Sequence, residues 1–354
     1  MATKPSAINK MKSINKALPL EKKEKSSVAI IFLLIALLFL TAIACLCIGK
    51  YSVSIKECLS IILGLDSNAS PMTQKVILHL RLPRVISAIV VGASLSLSGA
   101  IYQGVFQNPL VSPDFLGVSS GACIGAAVGI LLSLPAGYIQ FLAFLGGILA
   151  VSITLFIPKL IRSDSNLILV LSGIIVGGLM GSIMGIIKYY ADPTTKLADI
   201  TYWQMGSLSY ISIKTLLSVL FPIIASTLIM LFMAWWLDIL SLGETDARSL
   251  GANVKRIRLI SIACSTLLTA SSVCIAGTIG WIGLVIPHFS RMIVGPDNRR
   301  LLPTSCIVGA LFLLACDTLT RSVGQAELPI SILTGVIGAP FYAWVLYKQR
   351  GRIR

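Results

Sequence analysis

Charged residues are scarce in this chain of 354 residues. Asp, Glu, Lys and Arg together make up 12% of the sequence, about half of the roughly 25% that is usual in soluble domains. Hydrophobic residues reach 56%, and the mean hydropathy is +0.90. This composition excludes an ordinary soluble enzyme and predicts an all-α polytopic membrane protein.

Residues that carry chemistry are equally rare. The sequence has two histidines, His79 and His288, and no C-x-x-C pair among its eight cysteines. Metal and redox sites need such ligands in close groups. We therefore expect no catalytic, metal or cofactor site.

A P-loop for ATP hydrolysis, G-x-x-x-x-G-K-[ST], is also missing. The only Gly-Lys pair is Gly49-Lys50, and Tyr51 follows it. Any work done by ATP must therefore come from a partner protein.

Apolar stretches hold few ionisable groups, although an ion-coupled carrier usually keeps some in the membrane. Asp317 is the main exception. It could bond to a neighbouring helix or to Arg321 one turn later, or it could serve a transport pathway. His288 follows Pro287, and we expect it to bond backbone carbonyls that the proline leaves free.

Ten apolar stretches approach the roughly 20 residues that cross a bilayer. They cover 28–49, 85–103, 115–133, 139–158, 167–188, 213–236, 258–277, 279–294, 303–321 and 330–347. Most Lys and Arg residues fall on one side if both termini are cytoplasmic. We predict a basic cytoplasmic tail at 1–27, a single membrane domain at 28–348 and a basic cytoplasmic end at 349–354.

Two features of the sequence resemble signals for other functions, signal cleavage and nucleic-acid binding. Residues 42–45, Ala-Ile-Ala-Cys, resemble a signal cleavage site, but the apolar run before them is long enough to span the membrane. The net charge of +15 follows the membrane flanks, which indicates anionic lipid and not nucleic acid.

Two glycine ladders lie at helical spacing. The third stretch contains Gly117, Gly121, Gly125 and Gly129, and the fifth contains Gly173, Gly177, Gly181 and Gly185. Small-residue faces let helices approach closely in lipid. We predict packing for the first ladder and lining of a transport path for the second.

A faint internal repeat relates Gly99, Pro109 and Gly117 to Gly277, Pro287 and Gly295 at an offset of 178. The two copies would run in opposite directions, which is the inverted repeat of many transporters. Asn108, Pro109 and Pro287 are predicted bends.

The polar segment 237–257 differs from the apolar stretches on either side of it. It contains two short candidate helices, Asp238 to Leu242 and Thr245 to Leu250, each followed by a glycine, Gly243 or Gly251, able to end it. Basic residues hold the pair at the cytoplasmic face. We predict that another protein docks here.

Three arginines, Arg81, Arg84 and Arg321, stand at outer ends of the predicted spans. They could snorkel to lipid phosphates or bind carboxylates of a partner. The residues alone leave these two interpretations even.

Several separated motifs resemble one family of proteins. They are Arg81-Leu82-Pro83-Arg84, Gly92-Ala93, Ser98-Gly99, Gln103, Asn108-Pro109-Leu110, Pro113, Leu116-Gly117, Gly121-Ala122, Leu242-Gly243-Glu244, Ala247, Leu250-Gly251, Ala276-Gly277, Gly283-Leu284-Val285, Pro287-His288, Arg291, Asp317, Arg321, Glu327-Leu328-Pro329 and Gly338-Ala339-Pro340. In this order they resemble the permease subunits of binding-protein-dependent ABC importers for iron-siderophores, haem and vitamin B12. Asn298 and Ser331 depart from the common pattern.

The resemblance implies the ten-span fold of the vitamin B12 permeases and a bacterial cell-membrane location. It implies a dimer with a second copy or a related permease, in which the fifth and tenth spans, with Gly335 and Gly338, line the path. It also implies two partner ATPase subunits, which dock on Leu242, Gly243, Glu244, Ala247, Arg248, Leu250 and Gly251. An extracytoplasmic substrate-binding protein would meet Arg81, Arg84 and Arg321.

The expected cargo is a ferric siderophore, the commonest in the family, with haem, cobalamin and molybdate as alternatives. Two other classes stay open. One is an ion-coupled secondary carrier that uses Asp317, and the other is a membrane scaffold without a transport role.

Overall fold

The computed structural model describes residues 20–65, 70–162, 165–209, 211–323 and 327–353. Within these ranges helices are the only regular secondary structure, which confirms the predicted all-α fold. The first 19 residues of the predicted basic tail lie outside the described residues.

The helices fall into two groups along the chain. The first group comprises α1 (Leu20–Cys47), α2 (Ile55–Ile62), α3 (Pro71–Val105), α4 (Val118–Leu131), α5 (Ala136–Ile161), α6 (Asn166–Tyr190) and α7 (Lys196–Gln204). The second comprises α8 (Ile213–Phe232), α9 (Ala234–Ser241), α10 (Glu244–Ser249), α11 (Val254–Ala276), α12 (Ile282–Val294), α13 (Asn298–Ser322) and α14 (Ile330–Ile353).

The predicted spans correspond to helices of two lengths. Seven described helices, α1, α3, α5, α6, α8, α11 and α13, are long and apolar enough to cross a membrane. Three shorter apolar helices, α4, α12 and the part of α14 up to Val345, account for the other three predictions. With 14 and 13 residues, α4 and α12 are about 20 Å long and do not cross alone a hydrocarbon layer of about 30 Å.

Two predicted boundaries are wrong. The second span begins at Pro71 and not near residue 85, because the polar approach Pro71–Lys75 and a π-helical stretch, Val76–Arg81, continue directly into the apolar helix. The sixth span ends at Phe232, where Met233 separates it from α9. The first docking helix is therefore Ala234–Ser241, four residues earlier than predicted at its start.

Helices α3 and α11 form the centre of the molecule. Of the apolar window, 78% is buried in each of them, against 11% in α1, which leaves most of α1 exposed within one subunit. Small residues allow this packing: Ser98 bonds to Thr269 across the two helices at 2.8 Å. A Cβ atom on Gly99 would lie 1.9 Å from the Gly283 carbonyl oxygen of α12.

The two halves of the chain share the same order of helices, but the matching residues of the predicted repeat do not occupy equivalent positions. Helices α3 to α6 and α11 to α14 each follow the order of a long helix, a short helix and two further apolar helices. The offset of 178 is wrong, however, since it pairs unlike positions. Gly99 lies inside α3 while Gly277 ends α11, and Gly117 precedes α4 while Gly295 follows α12.

Candidate docking and translocation sites

An ion cluster joins the beginning of the apolar part of α3 to the last turns of α13. The Arg84 Nε atom donates to Asp317 Oδ1 at 2.7 Å, and its Nη1 atom donates to Glu327 Oε2 at 2.9 Å. Arg321 Nε lies 3.8 Å from Asp317 Oδ2. Two buried cations thus face two carboxylates, which offsets the cost of taking these charges out of water.

Asp317 is fully buried in this cluster. Its carboxylate accepts a hydrogen bond from Arg84 on a neighbouring helix, and its contact with Arg321 is longer. The structural role considered for Asp317 is therefore present, and its first partner is Arg84.

Glu327 forms the exposed edge of the cluster, with 42% of its side chain accessible. Burial by itself would raise the pKa of Glu327, but the bond from the Ser209 hydroxyl and the charge of Arg84 outweigh that cost. The pKa of this carboxyl therefore lies below its usual range, and it is ionised at neutral pH.

Arg81 and Arg321 cap the end of α1. The last carbonyls of a helix have no partner within the helix. Arg321 donates to the Cys45 carbonyl, and Arg81 donates to the carbonyls of Leu46 at 2.8 Å and Cys47 at 3.0 Å. Cations at this position also interact favourably with the helix dipole.

All three arginines are buried, at 6% to 9% exposure, and each bonds within the chain. This capping role is not predictable from the sequence, because nothing near Arg321 in the chain indicates that its partner is Cys45. A carboxylate from another protein reaches these groups only where an internal bond opens. Contact with a binding protein stays a prediction.

The surface formed by α9, α10 and the turns after them, here called the docking surface, presents two apolar side chains to solvent. Leu242 and Leu250 are 59% and 60% exposed. Each precedes a glycine with positive φ, +108° at Gly243 and +83° at Gly251, a conformation that glycine adopts without strain. The predicted paired glycines therefore do end the helices.

The remaining predicted docking residues have different surroundings. Ala247 is fully buried in a small core with Ile239, Leu240, Ala252, Val254 and Ile257, so it anchors α10. Glu244 bonds to Arg258 of α11 and to Arg248, the latter at 3.3 Å. Arg248 itself is exposed along 59% of its side chain.

The first glycine ladder packs α4 against α5. A Cβ atom on Gly121 would lie 2.3 Å from the Gly146 carbonyl oxygen, and one on Gly125 would lie 2.0 Å from the Leu142 carbonyl oxygen. Gly129 meets Ile139. This is the close packing expected of that ladder.

The second ladder divides. Gly173 packs against the Phe115 carbonyl, where a Cβ atom would be only 1.9 Å away. At Gly177, Gly181 and Gly185, no atom from another described helix lies within 4 Å of the place that a Cβ atom would take. The later part of this face of α6 is therefore open within one subunit.

Gly335 and Gly338 of α14 contact Trp281. A Cβ atom on Gly338 would lie 2.7 Å from the Trp281 Cβ atom, and one on Gly335 would lie 3.5 Å from its indole nitrogen. Trp281 has a φ of +72°, which is rare for a bulky residue. These glycines pack α14 onto the start of α12.

Pro287 lies inside α12, where it cannot donate to the Gly283 carbonyl. The side chain of Gln103 in α3 supplies the missing donor. Its Nε2 atom donates to the carbonyls of Gly283 at 3.4 Å and Leu284 at 3.2 Å. Its Oε1 atom accepts from Arg291 at 2.6 Å. The role expected of His288 thus belongs to Gln103.

The other predicted bend follows α3. After Val105 the chain leaves the helix, and Asn108 Oδ1 accepts from the Leu110 amide at 2.9 Å in a tight turn that includes Pro109. Beyond it, a cavity of about 210 Å³ lies between the starts of α4 and α12. Asp114 and Ser119, which bond to each other, line it; Asp114 was missed because a lone acidic residue beside prolines carries no motif.

The apolar helices of the described residues, the exposed leucines of the docking surface and the ordered motifs agree with one match to known proteins. The FecCD transport family model matches residues 34–348. The chain belongs to the FecCD transport family. As a FecCD protein it is a multi-pass membrane permease of the ABC transporter type.

Two named permeases and one solved structure are similar to this chain along most of its length. The FecCD chain is 40% identical over 326 residues to the molybdate import system permease protein MolB of Haemophilus influenzae, covering 91% of this chain and 96% of that protein. It is 39% identical over 279 residues to the hemin transport system permease protein HmuU of Yersinia pestis, covering 77% and 83%. A solved metal-chelate type ABC transporter in an inward-facing conformation matches with a TM-score of 0.83 and 38% identity, covering 90% of this chain and 99% of that one.

Proposed function

We propose that this FecCD permease forms the translocation path of an ABC importer for iron chelates, with ferric siderophores as the cargo. A similar permease named for hemin and a similar structure of the metal-chelate type support an iron complex. Molybdate is the second candidate, because the relative named for it is 40% identical along nearly its whole length.

The proposed machine has separate parts for binding, passage and energy. A binding protein delivers cargo at the outer end, and two permease subunits enclose the path with the open face of α6. Two ATPase subunits close on ATP and move the docking surface. Both termini are then cytoplasmic, and the protein lies in the bacterial cell membrane.

The docking surface carries this proposal. Leu242 and Leu250 expose large apolar side chains beyond the end of the last preceding span, where the described part of this chain does not cover them. In this proposal the two leucine side chains insert into the ATPase subunits. The fixed turns at Gly243 and Gly251 and the buried Ala247 hold both leucines in place.

At the outer end, Arg84 supports docking of the binding protein. Its contact with Glu327 is half-exposed, and exposed ion pairs contribute only about 0 to 1 kcal/mol. A partner carboxylate therefore replaces Glu327 at little cost, while Asp317 keeps its own bond. Arg81 and Arg321 hold α1 beside this point.

The docking surface is tested by measuring the affinity of the purified permease for its ATPase subunits. We expect Leu242→Asp with Leu250→Asp to weaken binding at least about tenfold, because the aspartates place charge in an apolar contact. Leu63→Asp is the matched control, since Leu63 is 66% exposed on the segment after α2. Equal affinities in the double variant and the control would contradict the proposal.

Cargo is tested by uptake in a deletion strain that carries the permease on a plasmid. A strain with the gene deleted is expected to lose growth on a ferric siderophore and to regain it with the plasmid. Loss of molybdate uptake with normal use of every iron source would favour the second candidate and contradict the first.

A further inference from the structure

Asp238 ties the docking surface to the start of α13. Its Oδ1 atom accepts two bonds from Asn298, one from the backbone amide and one from the side-chain Nδ2 atom, both at 2.8 Å. Asn298 is 5% exposed. Burial raises the pKa of Asp238, and the two bonds from Asn298 act in the opposite direction. The contact is thus a specific, partly buried link between α9 and α13.

The two docking helices share one small core with the start of α11, and each also makes a polar contact of its own. Helix α10 joins α11 through Glu244 and Arg258. Helix α9 joins α13 through Asp238, and the Gln107 side chain donates to the Leu240 carbonyl from the inner end of α3. A movement of α9 therefore acts on α13 without passing through α10.

Helix α13 reaches from this link to the outer ion cluster. Its 25 residues span about 37 Å at roughly 1.5 Å per residue, and its last turns carry Asp317 and Arg321. Midway, Gly309 packs so closely on Gly92 of α3 that a Cβ atom would lie 2.4 Å from a backbone oxygen. Helix α13 is therefore one continuous element, with Pro303 near its start, that contacts α9 at one end and the ion cluster at the other.

We infer that Asp238 and Asn298 are a positioning pair, through which α13 carries movement of the docking surface to the Arg84, Asp317 and Glu327 cluster. This inference rests on the proposed function, because it assigns the route between the ATPase side and the side of the binding protein. ATP-driven closure then changes the outer cluster and releases the binding protein.

The test uses the complete importer, with ATPase subunits and binding protein, in liposomes. Asn298→Asp replaces the Nδ2 donor with an oxygen and adds a further carboxylate to Asp238, which already lies beside Asp297. We expect uptake and ATP-driven release of the binding protein to fall at least about tenfold, with ATPase affinity within about threefold of wild type. Asp199→Asn is the control, because Asp199 is exposed on α7 and we expect no change.

A swapped pair separates this role from simple support of the fold. Asp238→Asn combined with Asn298→Asp restores one donor and one acceptor, and we expect uptake to return to within about threefold of wild type. The inference is overturned if Asn298→Asp alone transports normally, if the swap stays as impaired as the single variant, or if ATPase affinity falls in step with uptake. A wild-type complex without any ATP-driven uptake would contradict the proposed function itself, and this inference with it.

Discussion

Asp317 is the central residue of the ion cluster between α3 and α13. It is fully buried, it bonds to Arg84, and its second carboxylate oxygen faces Arg321. Arg321 in turn caps α1, so one carboxylate supports the arrangement of three helices. A free coupling group for ion transport would need to exchange protons with water, and Asp317 is shielded from water and already engaged by two arginines.

Removing this carboxylate is expected to destabilise the protein strongly. Asp317→Ala leaves two guanidinium groups buried without their main partner, which costs about 3 to 5 kcal/mol in comparable buried pairs. The measurement is thermal unfolding of the purified protein in detergent. Glu327→Gln is the control, since this half-exposed partner is expected to contribute less than about 1 kcal/mol. Equal loss in the two variants would show that Asp317 is not the organising charge.

The sequence shows these charges but not their pairing. Arg84 and Asp317 are 233 positions apart, and no local pattern joins them. The capping of α1 by Arg81 and Arg321 is hidden for the same reason, because the end of α1 and the two arginines meet only after α3 and α13 have packed. Glycine spacing, in contrast, predicted the packing of α4 on α5 directly.

At the scale of elements, glycine divides the helices into closed and open faces. Gly99 lets α3 meet the Gly283 backbone, whereas Gly181 on α6 meets no other described helix within one subunit. The same residue type thus serves internal packing in one helix and leaves a face free in another.

We therefore expect opposite results from two identical substitutions. Gly99→Ala forces α3 away from α12 and is expected to lower stability by about 1 to 3 kcal/mol, as other overpacked cores do. Gly181→Ala is expected to leave the unfolding temperature of the detergent-solubilised monomer unchanged. Thermal unfolding of both variants checks this, and a large loss at Gly181 would mean that its face is covered inside the subunit.

Helix positions were predictable because apolar runs must satisfy their backbone within the membrane. Helix ends were less so. The short helices α4 and α12 begin where Gly117 and Trp281 have positive φ, and for Trp281 no residue preference signals this conformation. The early start of α3 was missed because the segment before it is polar, although it is helical.

At the scale of the whole molecule, the two halves place the starts of their short helices beside a cavity, and the segment between the halves carries the docking surface. In the route that we infer, α13 carries movement of the docking surface to the Arg84, Asp317 and Glu327 cluster. The chain is a FecCD permease, and we assign the ATP hydrolysis that drives transport to its partner ATPase subunits.

Cargo uptake into liposomes tests this assignment most directly. The vesicles contain permease and ATPase subunits with ATP inside, and the binding protein with a labelled ferric siderophore outside. We predict uptake that needs ATP and is lost when Leu242 and Leu250 are both changed to Asp, with no uptake by the permease alone under a proton or sodium gradient. Gradient-driven uptake by the permease alone, or ATP-driven uptake unaffected by the two leucine changes, would contradict the account.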